Sequence, residues 1–516
     1  MDIDAPALPQ ATTEPADSMR RPLHAVVRWL RRLSIWHWAL AAAVTWYTVH
    51  FARFTLDIHH GLGTSNYDLG LYDQGVWLMS RFKAPFVTLM GRNLMGDHAS
   101  FILVFLVPFY WLFPAVGTLL TAQAAAIGAG AIPIFLYARH RLDSGWMAFL
   151  CALTYLLHPA VSGTNMENFH PDAFIGVLVG FAIYGALERK WRLYAVFVVL
   201  SLMVKEDVSL VIVPLGIWVA MRRDRRIGII TIIGSVGFMA IAMLVVMRSL
   251  IGVSTRNAWR IPFGGPSGFV RRTFSHPGEV FEHLRDDSRP FYIWQMTAPF
   301  AYVFAKLPDV ALISGLVLFT NIVSTFGYQY STRYHYSLIA VPALAMGTVW
   351  ALGVIKKHMR WRLVILVAFT SFYASYLWGV MPWSRQEYPH WASDHPVAEA
   401  MRDIIDDIPS DASVAAYHSA TPHIDHREEI YQFPNPFRIV LFGTDLSLEG
   451  TRDVPRAERV DYVLIPAALD EQNQRDWDVI APAFEEVERN ESWVLWRRDR
   501  DIELPPIPPP EVQASG

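Results

Sequence analysis

The sequence predicts a mainly α-helical membrane protein, with a polytopic transmembrane bundle of about eleven spans followed by a small α/β domain. Of its 516 residues 53% are apolar and only 18% are charged, whereas an ordinary soluble protein is about 25% charged. Apolar runs long enough to cross roughly 30 Å of hydrocarbon recur along most of the chain. The mean hydropathy of +0.24 agrees with this. Beyond residue 381 the chain becomes charged and rich in proline, which predicts a separate soluble domain.

The N-terminal segment, 1–33, is predicted to be disordered and cytoplasmic. Five arginines in "RRPLHAVVRWLRRLS" directly precede the apolar run "IWHWALAAAVTWYTVHFA". This order is typical of a retained first helix with a basic cytoplasmic flank, not of a cleaved secretion signal. The predicted spans of the bundle, 34–381, are 34–51, 116–138, 146–161, 173–187, 193–204, 208–221, 227–250, 291–305, 309–325, 334–355 and 363–381.

The charges of the loops support this topology. With the N-terminus inside, the basic loops "ARHRLDSG", "ERKWR", "RRDRR" and "KKHMRWR" all face the cytoplasm, as the positive-inside rule requires. The segment "SFILVFLVPFYWLFP" is short and broken by proline, so we expect it to lie at the outer surface. Counting it as a span would place those arginines outside. The predicted protein is therefore a multi-pass plasma-membrane protein with an extracytoplasmic C-terminus and long outer loops at 52–115 and 251–290.

The outer loops carry a different set of side chains from the inner ones. They read "NYDLGLYDQ", "GDHAS", "NMENFHPD", "KEDVS" and "QYSTRYHYS". Because ionisable groups at membrane depth are costly, five such loops on one face predict a shared polar site. The alternative is that each loop is simply solvated. The candidate residues are Asp68, Asp73, Asp97, His98, Glu167, His170, Asp172, Lys205, Glu206, Asp207, Arg333 and His335.

The residues alone are compatible with two kinds of chemistry. Carboxylates beside cations could move ions or protons, as in a transporter. They could also bind a lipid-linked phosphate, with Lys205 and Arg333 against the anion and a carboxylate as the base. The zinc-protease pattern HEXXH is absent, and the single cysteine, Cys151, excludes a cysteine-based metal site. Nothing in the composition indicates a nucleic-acid partner.

The ordered motifs resemble one bacterial membrane-protein family, domain of unknown function two thousand and seventy-nine. They are "YDLGLYDQ", "GDHASFILVFLVPFYWLFP", "LLTAQAAAIGAGAIPIFLYARHRL", "NFHPDAF", "KEDVSL" and, beyond the last helix, "PHIDHREEIYQFP". In layout this family is similar to the GT-C glycosyltransferases, membrane enzymes that use polyprenyl-phosphate sugars as donors. Those enzymes have an acidic first outer loop, surface-lying helices and then a bundle.

The resemblance implies a set of roles. Asp68 would be the general base in an inverting direct displacement from a polyprenyl-phosphate sugar to an acceptor glycan, lipid or protein outside the membrane. Lys205 or Arg333 would balance the leaving phosphate. The residues expected to support catalysis or bind substrate are Asp73, His98, Glu167, His170, Asp172, Glu206 and Asp207, and the cofactor stays open, with Mg²⁺ or Mn²⁺ as the candidate metals.

Each role has a structural alternative. Asp68 could cap the helix that begins near Leu69, and Lys205 could simply pair with Glu206 or Asp207. His98 and His335 could serve in packing or hydrogen bonding. Asp57 and Asp97 are alternative bases. A transporter or a non-catalytic membrane scaffold remains the competing function.

The C-terminal domain is predicted to span 382–503, followed by a Pro-rich tail at 504–516. "HPVAEAMRDIIDDI" has the apolar spacing of a helix. "SVAAY", "RIVLF" and "DYVLIP" are typical of buried strands, and "FEEVERNESWVLWRR" predicts a hairpin that turns at Asn490 and Glu491. This domain could cap the site, select an acceptor, or act only as a structural lid.

Overall fold

The computed structural model describes residues 33–166, 168–254 and 257–506. Three features of the sequence lie outside the described residues: the basic flank within 1–32, the candidate site residue Glu167, and most of the Pro-rich tail. The described part of the chain is mainly helical, as expected.

The first nineteen helices occupy the region of the predicted bundle and its outer loops. They are α1 (Ile35–His60), α2 (Leu71–Ser80), α3 (Leu94–Asp97), α4 (Val107–Leu112), α5 (Val116–Ala129), α6 (Ala131–Leu142), α7 (Gly145–Leu156), α8 (Pro159–Met166), α9 (Ile175–Leu187), α10 (Trp191–Leu202), α11 (Ser209–Arg222), α12 (Arg225–Ile241), α13 (Arg248–Ile251), α14 (Pro266–Ser275), α15 (Pro277–Arg285), α16 (Arg289–Thr297), α17 (Gly315–Val323), α18 (Val341–Leu352) and α19 (Lys357–Trp378).

Four helical stretches in the described ranges are long and apolar enough to cross a membrane. They are Val116–Leu142, Arg225–Ile251, His335–Leu352 and Lys357–Trp378. Helices α7 and α8 make a fifth if the pair, bent by 45°, is taken as one span. Other apolar helices, such as α10, are shorter than a full span. The bundle of several apolar helices agrees with the sequence, whereas the number of eleven spans stays a prediction.

The predicted span 291–305 is wrong as a single helix. Helix α16 ends at Thr297, and Pro299 follows, which cannot donate a backbone hydrogen bond to a continuing helix. Ala301 and Tyr302 then adopt left-handed backbone angles, with φ of 48° and 55°. A separate short turn, Val303–Lys306, completes the segment. The segment 291–305 therefore consists of a helix followed by short turns and is not one continuous helix.

Two glycines of the bundle pack closely against Tyr155, which is fully buried. Gly130 and Gly176 both face its ring. A Cβ atom at Gly130 would lie 2.2 Å from the Tyr155 hydroxyl oxygen, and one at Gly176 would lie 2.1 Å away. These two positions can only be occupied by glycine while the tyrosine keeps its place.

The first outer loop folds into short elements above the bundle. Strands β1 (Phe86–Val87) and β2 (Arg92–Asn93) pair in antiparallel fashion. The segment "SFILVFLVPFYWLFP" forms a 3₁₀ turn, Phe101–Leu106, that continues into α4. Its apolar side chains Phe105, Phe109 and Trp111 are exposed, which suits the predicted position at the membrane surface.

The C-terminal region contains a five-stranded mixed sheet in the order β4-β3-β5-β7-β6. Strands β3 and β4 and strands β3 and β5 run parallel, whereas β7 pairs antiparallel with both β5 and β6. The strands and the helices beside them are β3 (Val414–Ala416), β4 (Ile430–Gln432), β5 (Tyr462–Pro466), β6 (Phe484–Arg489), β7 (Trp493–Arg498), α20 (Pro396–Ile405), α21 (Val454–Ala457) and α22 (Glu471–Ile480).

Two predicted strands, the helix and the hairpin of this region are confirmed, and one strand is wrong. "SVAAY" contains β3, "DYVLIP" contains β5, and β6 and β7 form the hairpin. "RIVLF" forms no strand. Its residues Ile439 and Phe442 are buried against the sheet, so its apolar character reflects packing and not strand pairing. The segment "IYQ" forms strand β4 instead.

The C-terminal sheet shares a hydrophobic core with the first outer loop. Leu69, Val76 and Leu103 from the loop lie in the same buried cluster as Met401 and Leu495 from the C-terminal region. This packing holds the sheet directly against the outer-loop residues that carry the candidate carboxylates.

Candidate functional site

Asp68 lies in a kinked turn immediately before α2. Its backbone has φ of 70° and ψ of −81°, an unusual conformation for a residue with a Cβ. The N-cap residue of α2 is Gly70, not Asp68. The Asp68 Oδ2 atom lies 3.3 Å from His170 Nε2, and about a third of the side chain remains exposed. The kink therefore directs the carboxylate towards the polar cluster.

His170 is held by its neighbours in sequence and in space. Pro171 follows it, which favours the extended backbone that His170 adopts, with φ of −135° and ψ of 141°. Its backbone N–H donates to the side chain of Gln123, at 2.9 Å. The imidazole stacks on that of His335, with ring centroids 3.8 Å apart. One ligand atom each from His170, Asp172 and His335 lies within 4.8 Å of the other two.

Lys205 is the buried cation of this cluster. Its ammonium nitrogen lies 3.9 Å from Asp172 Oδ2 and 3.8 Å from Asp207 Oδ2. Burial lowers the pKa of Lys205, but the carboxylates of Asp172 and Asp207 outweigh it and hold the pKa well above its ordinary value. Lys205 therefore stays charged and is already paired with two anions.

Glu206 connects this cluster to the first outer loop. Its Oε1 atom lies 2.8 Å from His98 Nδ1, and its Oε2 atom accepts from the backbone N–H of Ala99 at 3.2 Å. Burial raises the pKa of Glu206, but the charge and hydrogen bond of His98 outweigh it and lower the pKa to about 2. Nearby, Asp97 is paired with Arg92 at 2.7 Å, which leaves it less suited to act as a base.

The ionisation of Asp68 is also set by opposing effects. Burial raises the pKa of the carboxyl, while the charge and hydrogen bond of His170 lower it, assisted by His335 and Lys205. The net pKa lies below the ordinary value. Asp68 is therefore an ionised carboxylate at neutral pH, the state that can accept a proton.

A cavity of about 890 Å³ opens beside Asp68 and His170. Arg333 and Arg260 both line it, Arg333 as an exposed side chain. Arg260 donates to the Tyr336 hydroxyl at 3.2 Å and lies over the Phe326 ring, 4.3 Å from its centroid. Arg260 was missed as a site residue, because its loop carries several similar arginines and no sequence pattern distinguishes it.

The C-terminal region contributes to the wall of this cavity. Leu441 lines it, and the backbone carbonyl of Leu441 accepts from the Tyr67 hydroxyl at 3.2 Å. Gln386, also in the wall, is hydrogen-bonded to Arg333. The region beyond the bundle therefore lies against the opening.

Two other candidate carboxylates lie elsewhere. Asp57 pairs with His390, with Oδ2 and Nε2 3.0 Å apart. Asp73 belongs to a second buried cluster, where its Oδ2 atom lies 3.0 Å from His426 Nε2 and its Oδ1 atom accepts from the Tyr110 hydroxyl. The structure thus brings together one connected set of residues, Asp68, His170, Asp172, Lys205, Glu206, Asp207 and His98. Arg333 lines the cavity beside this set, and Asp73 lies outside the set.

The family model described as "Predicted membrane protein (DUF2079)" matches residues 58–504. The chain belongs to this family. The ordered motifs of the loops therefore identified it correctly. No curated protein shows significant sequence similarity to this DUF2079 member.

Solved structures similar to this DUF2079 member include two of ArnT from Cupriavidus metallidurans. The one bound to undecaprenyl phosphate has a TM-score of 0.52 and 13% identity, and the alignment covers 88% of this chain and 97% of ArnT. The apo structure has a TM-score of 0.50 and 14% identity, with coverage of 89% and 99%. At this identity the similarity shows a shared fold.

Proposed function

We propose that this protein is an integral membrane glycosyltransferase that moves a sugar from a polyprenyl-phosphate donor to an extracytoplasmic acceptor. The observation that carries the proposal is the ionised Asp68 carboxylate at the edge of a large cavity that also contains two arginines. The fold supports it, because one of the ArnT structures that share this fold contains undecaprenyl phosphate, a polyprenyl phosphate. Fold alone does not fix function, so the argument depends on the site.

The proposed reaction is a single inverting displacement. Asp68 accepts the proton of the acceptor hydroxyl as the hydroxyl oxygen attacks the anomeric carbon of the donor sugar. A new carbon–oxygen bond forms while the bond from that carbon to the phosphate oxygen breaks, and polyprenyl phosphate leaves with the electron pair. His170, 3.3 Å from Asp68, holds the carboxylate in position.

The leaving phosphate needs positive charge along the cavity. Arg333 and Arg260 meet this need best, because both line the cavity and a guanidinium can bind phosphate through two hydrogen bonds. Lys205 is only 5% exposed and is shared between two carboxylates. We therefore assign Lys205 to holding the buried anions in place, with a weaker, long-range effect on the phosphate.

The donor set formed by His170, Asp172 and His335 fits a divalent cation. The buried Asp172 Oδ2 atom has no hydrogen-bond partner among the described residues, and two imidazoles lie beside it. A cation bound there would add positive charge near the phosphate. Lys205, whose ammonium nitrogen lies 3.9 Å from the same Oδ2 atom, partly neutralises Asp172.

The direct test of the proposal is Asp68→Asn in purified, reconstituted protein given a set of polyprenyl-phosphate sugars. Asparagine keeps the size of the side chain and tolerates positive φ about as well as aspartate, but it cannot accept the proton. We expect donor binding to persist and sugar transfer to fall by roughly two to four orders of magnitude. The matched control is Asp57→Asn, whose carboxylate pairs with His390 outside the cavity.

Two results would overturn the proposal. Equal transfer rates for Asp68→Asn and the wild type would remove Asp68 as the base. A wild-type protein that consumes none of the donors but carries solute into sealed vesicles would replace the glycosyltransferase with the transporter.

A further inference from the structure

A second buried cluster joins the first outer loop to the C-terminal region. It consists of Asp73 on α2 and of Asp425 and His426, and we call it the seam cluster. One ligand atom from each residue lies within 4.8 Å of the other two. Asp73 is fully buried and Asp425 is 2% exposed, while the His426 side chain is 30% exposed. A cavity of about 570 Å³ adjoins all three residues.

In each carboxylate of the seam cluster, one oxygen has no hydrogen-bond donor among the described residues. These atoms are Asp73 Oδ2 and Asp425 Oδ2, and both are buried, whereas Asp73 Oδ1 accepts from the Tyr110 hydroxyl. His426 Nε2 lies 3.0 Å from Asp73 Oδ2, yet the contact lacks hydrogen-bond geometry, so neither atom is satisfied by the other. A buried carboxylate without a donor or a cation is costly, and two together repel each other.

The neighbouring cation does not neutralise the pair. Arg427 follows His426 directly, but its guanidinium donates to the backbone carbonyls of Ile424, Pro409 and Ala412 at 2.7, 3.2 and 3.0 Å. The guanidinium of Arg427 therefore binds backbone carbonyl groups of the C-terminal region. The seam cluster retains an excess of acceptor atoms that converge on one point.

We propose that the seam cluster binds a zinc-class divalent cation through Asp73, Asp425 and His426. An imidazole with two carboxylates is a donor set that suits Zn²⁺ better than Mg²⁺ or Ca²⁺, which prefer oxygen alone. Zinc ligands lie about 2.0–2.2 Å from the metal, so two of them stand about 3.4 Å apart, close to the 3.0 Å between His426 and Asp73. Tyr110, which donates to Asp73, is the outer-shell partner that fixes that ligand.

The cation would link the C-terminal region to the first outer loop. Asp73 belongs to that loop, whereas the other two ligands lie in the segment that leads into β4. The same junction is already held by Gln74, which donates to the Thr88 hydroxyl at 2.8 Å and to the Arg427 carbonyl at 3.1 Å. A metal here would stabilise the docked arrangement and would take no part in sugar transfer, so it is independent of the proposed function.

The test is zinc binding by the full-length protein, purified in detergent with its affinity tag removed. After chelation and desalting, Zn²⁺ is titrated against a chromophoric competitor, and bound metal is counted by mass spectrometry. We expect Asp425→Asn and His426→Gln each to bind one zinc fewer than the wild type. Tyr110→Phe should retain the ion with roughly 10–100-fold lower affinity, the usual effect of losing an outer-shell partner.

Two controls separate this site from its surroundings. Asp406→Asn alters an exposed carboxylate in the wall of the same cavity and should bind as much zinc as the wild type. Asp172→Asn alters the other metal-capable cluster and should leave the seam zinc in place. Because His426 is partly exposed, its glutamine variant is expected to fold even if Asp425→Asn does not.

The proposal fails if the wild type binds no zinc at micromolar concentrations, since the carboxylate pair would then be holding a proton. It also fails if folded His426→Gln matches the wild type in both zinc content and affinity. A rise in thermal stability with Zn²⁺ but not with Mg²⁺, lost in His426→Gln, would support it through an independent measurement.

Discussion

At the residue scale, each carboxylate of the site lies beside a basic side chain. Asp172 and Asp207 share Lys205, Glu206 faces His98, and Asp68 faces His170. Removal of one partner from such a pair leaves an uncompensated charge in a low-dielectric environment, which costs more than the pair itself contributes.

The pair formed by Glu206 and His98 predicts a stability difference that depends on pH. The pKa of Glu206 is lowered to about 2, so its contribution is present above the unfolded value of about 4.3 and is lost as the pH falls towards 2. The pKa of His98 is raised, despite burial and Lys205, by Glu206. Its contribution is present below about pH 6.5 and is lost as the pH rises through the folded pKa.

Glu206→Gln should therefore destabilise the protein most between about pH 4.3 and pH 6.5, by about 1.5–3 kcal/mol. The difference should shrink at high pH, as the pH rises through the folded pKa of His98. Thermal unfolding in detergent at pH 5.5 and pH 9 measures it, with the exposed Glu485→Gln as the control. An equal loss of stability at both pH values would contradict the assignment of His98 as the charged partner.

The two arginines of the cavity predict an effect on donor affinity. Arg260→Ala and Arg333→Ala should each raise the KM for the polyprenyl-phosphate donor about 10–100-fold, since a hydrogen bond to a charged group contributes about 1.5–3 kcal/mol. Arg271→Ala, exposed on the same outer loop as Arg260, should leave KM unchanged. If all three variants shift KM equally, the effect is a general surface charge and not a phosphate site.

At the element scale, the glycines around Tyr155 explain how the helices approach so closely. Gly176→Ala would place a Cβ atom 2.1 Å from the Tyr155 hydroxyl oxygen. We expect a loss of about 1–3 kcal/mol in the free energy of unfolding, as for other overpacked cores. Denaturant or thermal unfolding in detergent measures this loss.

The double variant Gly176→Ala/Tyr155→Phe tests the cause. Within the described part of the chain the Tyr155 hydroxyl has no hydrogen-bond partner, so its removal costs little. The nearest ring atom then lies 3.3 Å from the new Cβ atom. Most of the lost stability should return. Gly234→Ala on α12 has no atom within 4 Å of its Cβ position and should be neutral or slightly stabilising. If the double variant is no more stable than Gly176→Ala, the loss of stability arises from the backbone and not from the contact with the Tyr155 hydroxyl.

The sequence predicted those elements whose signal is local. The period of "HPVAEAMRDIIDDI" and the turn at Asn490 and Glu491 depend on neighbouring residues, and both appear as predicted. The sequence could not show whether "RIVLF" or "IYQ" forms the strand beside β3, because this pairing depends on contacts between residues distant in sequence. The same limit applies to the site. Helix starts on one face indicated the Asp68 cluster, but nothing near Asp73 indicated that its partners lie in "PHIDHREE".

At the scale of the whole molecule, the first outer loop packs against the C-terminal region. Lys83 in the first outer loop pairs with Glu428, and Tyr67 donates to the Leu441 carbonyl. Loops that pack on each other must lie on the same side of a membrane. The candidate site, the seam cluster and the C-terminal sheet are therefore expected to share the face opposite the arginine-rich loops.

Single introduced cysteines test this topology with little background. The one native cysteine, Cys151, is buried, so a membrane-impermeant maleimide should not label the unmodified protein in intact cells. Glu485→Cys, exposed on β6, should be labelled without permeabilisation. Arg226→Cys and Lys357→Cys, exposed at the starts of α12 and α19, should be labelled only after the membrane is opened. The predicted topology places one span between Lys357 and Glu485. If Glu485→Cys and Lys357→Cys were labelled from the same side, there would have to be either two spans or none between them. If both are labelled only after the membrane is opened, the candidate site, which lies against the C-terminal region, is reassigned to the cytoplasmic face, where nucleotide-linked sugars rather than polyprenyl-linked ones would be the donors to test.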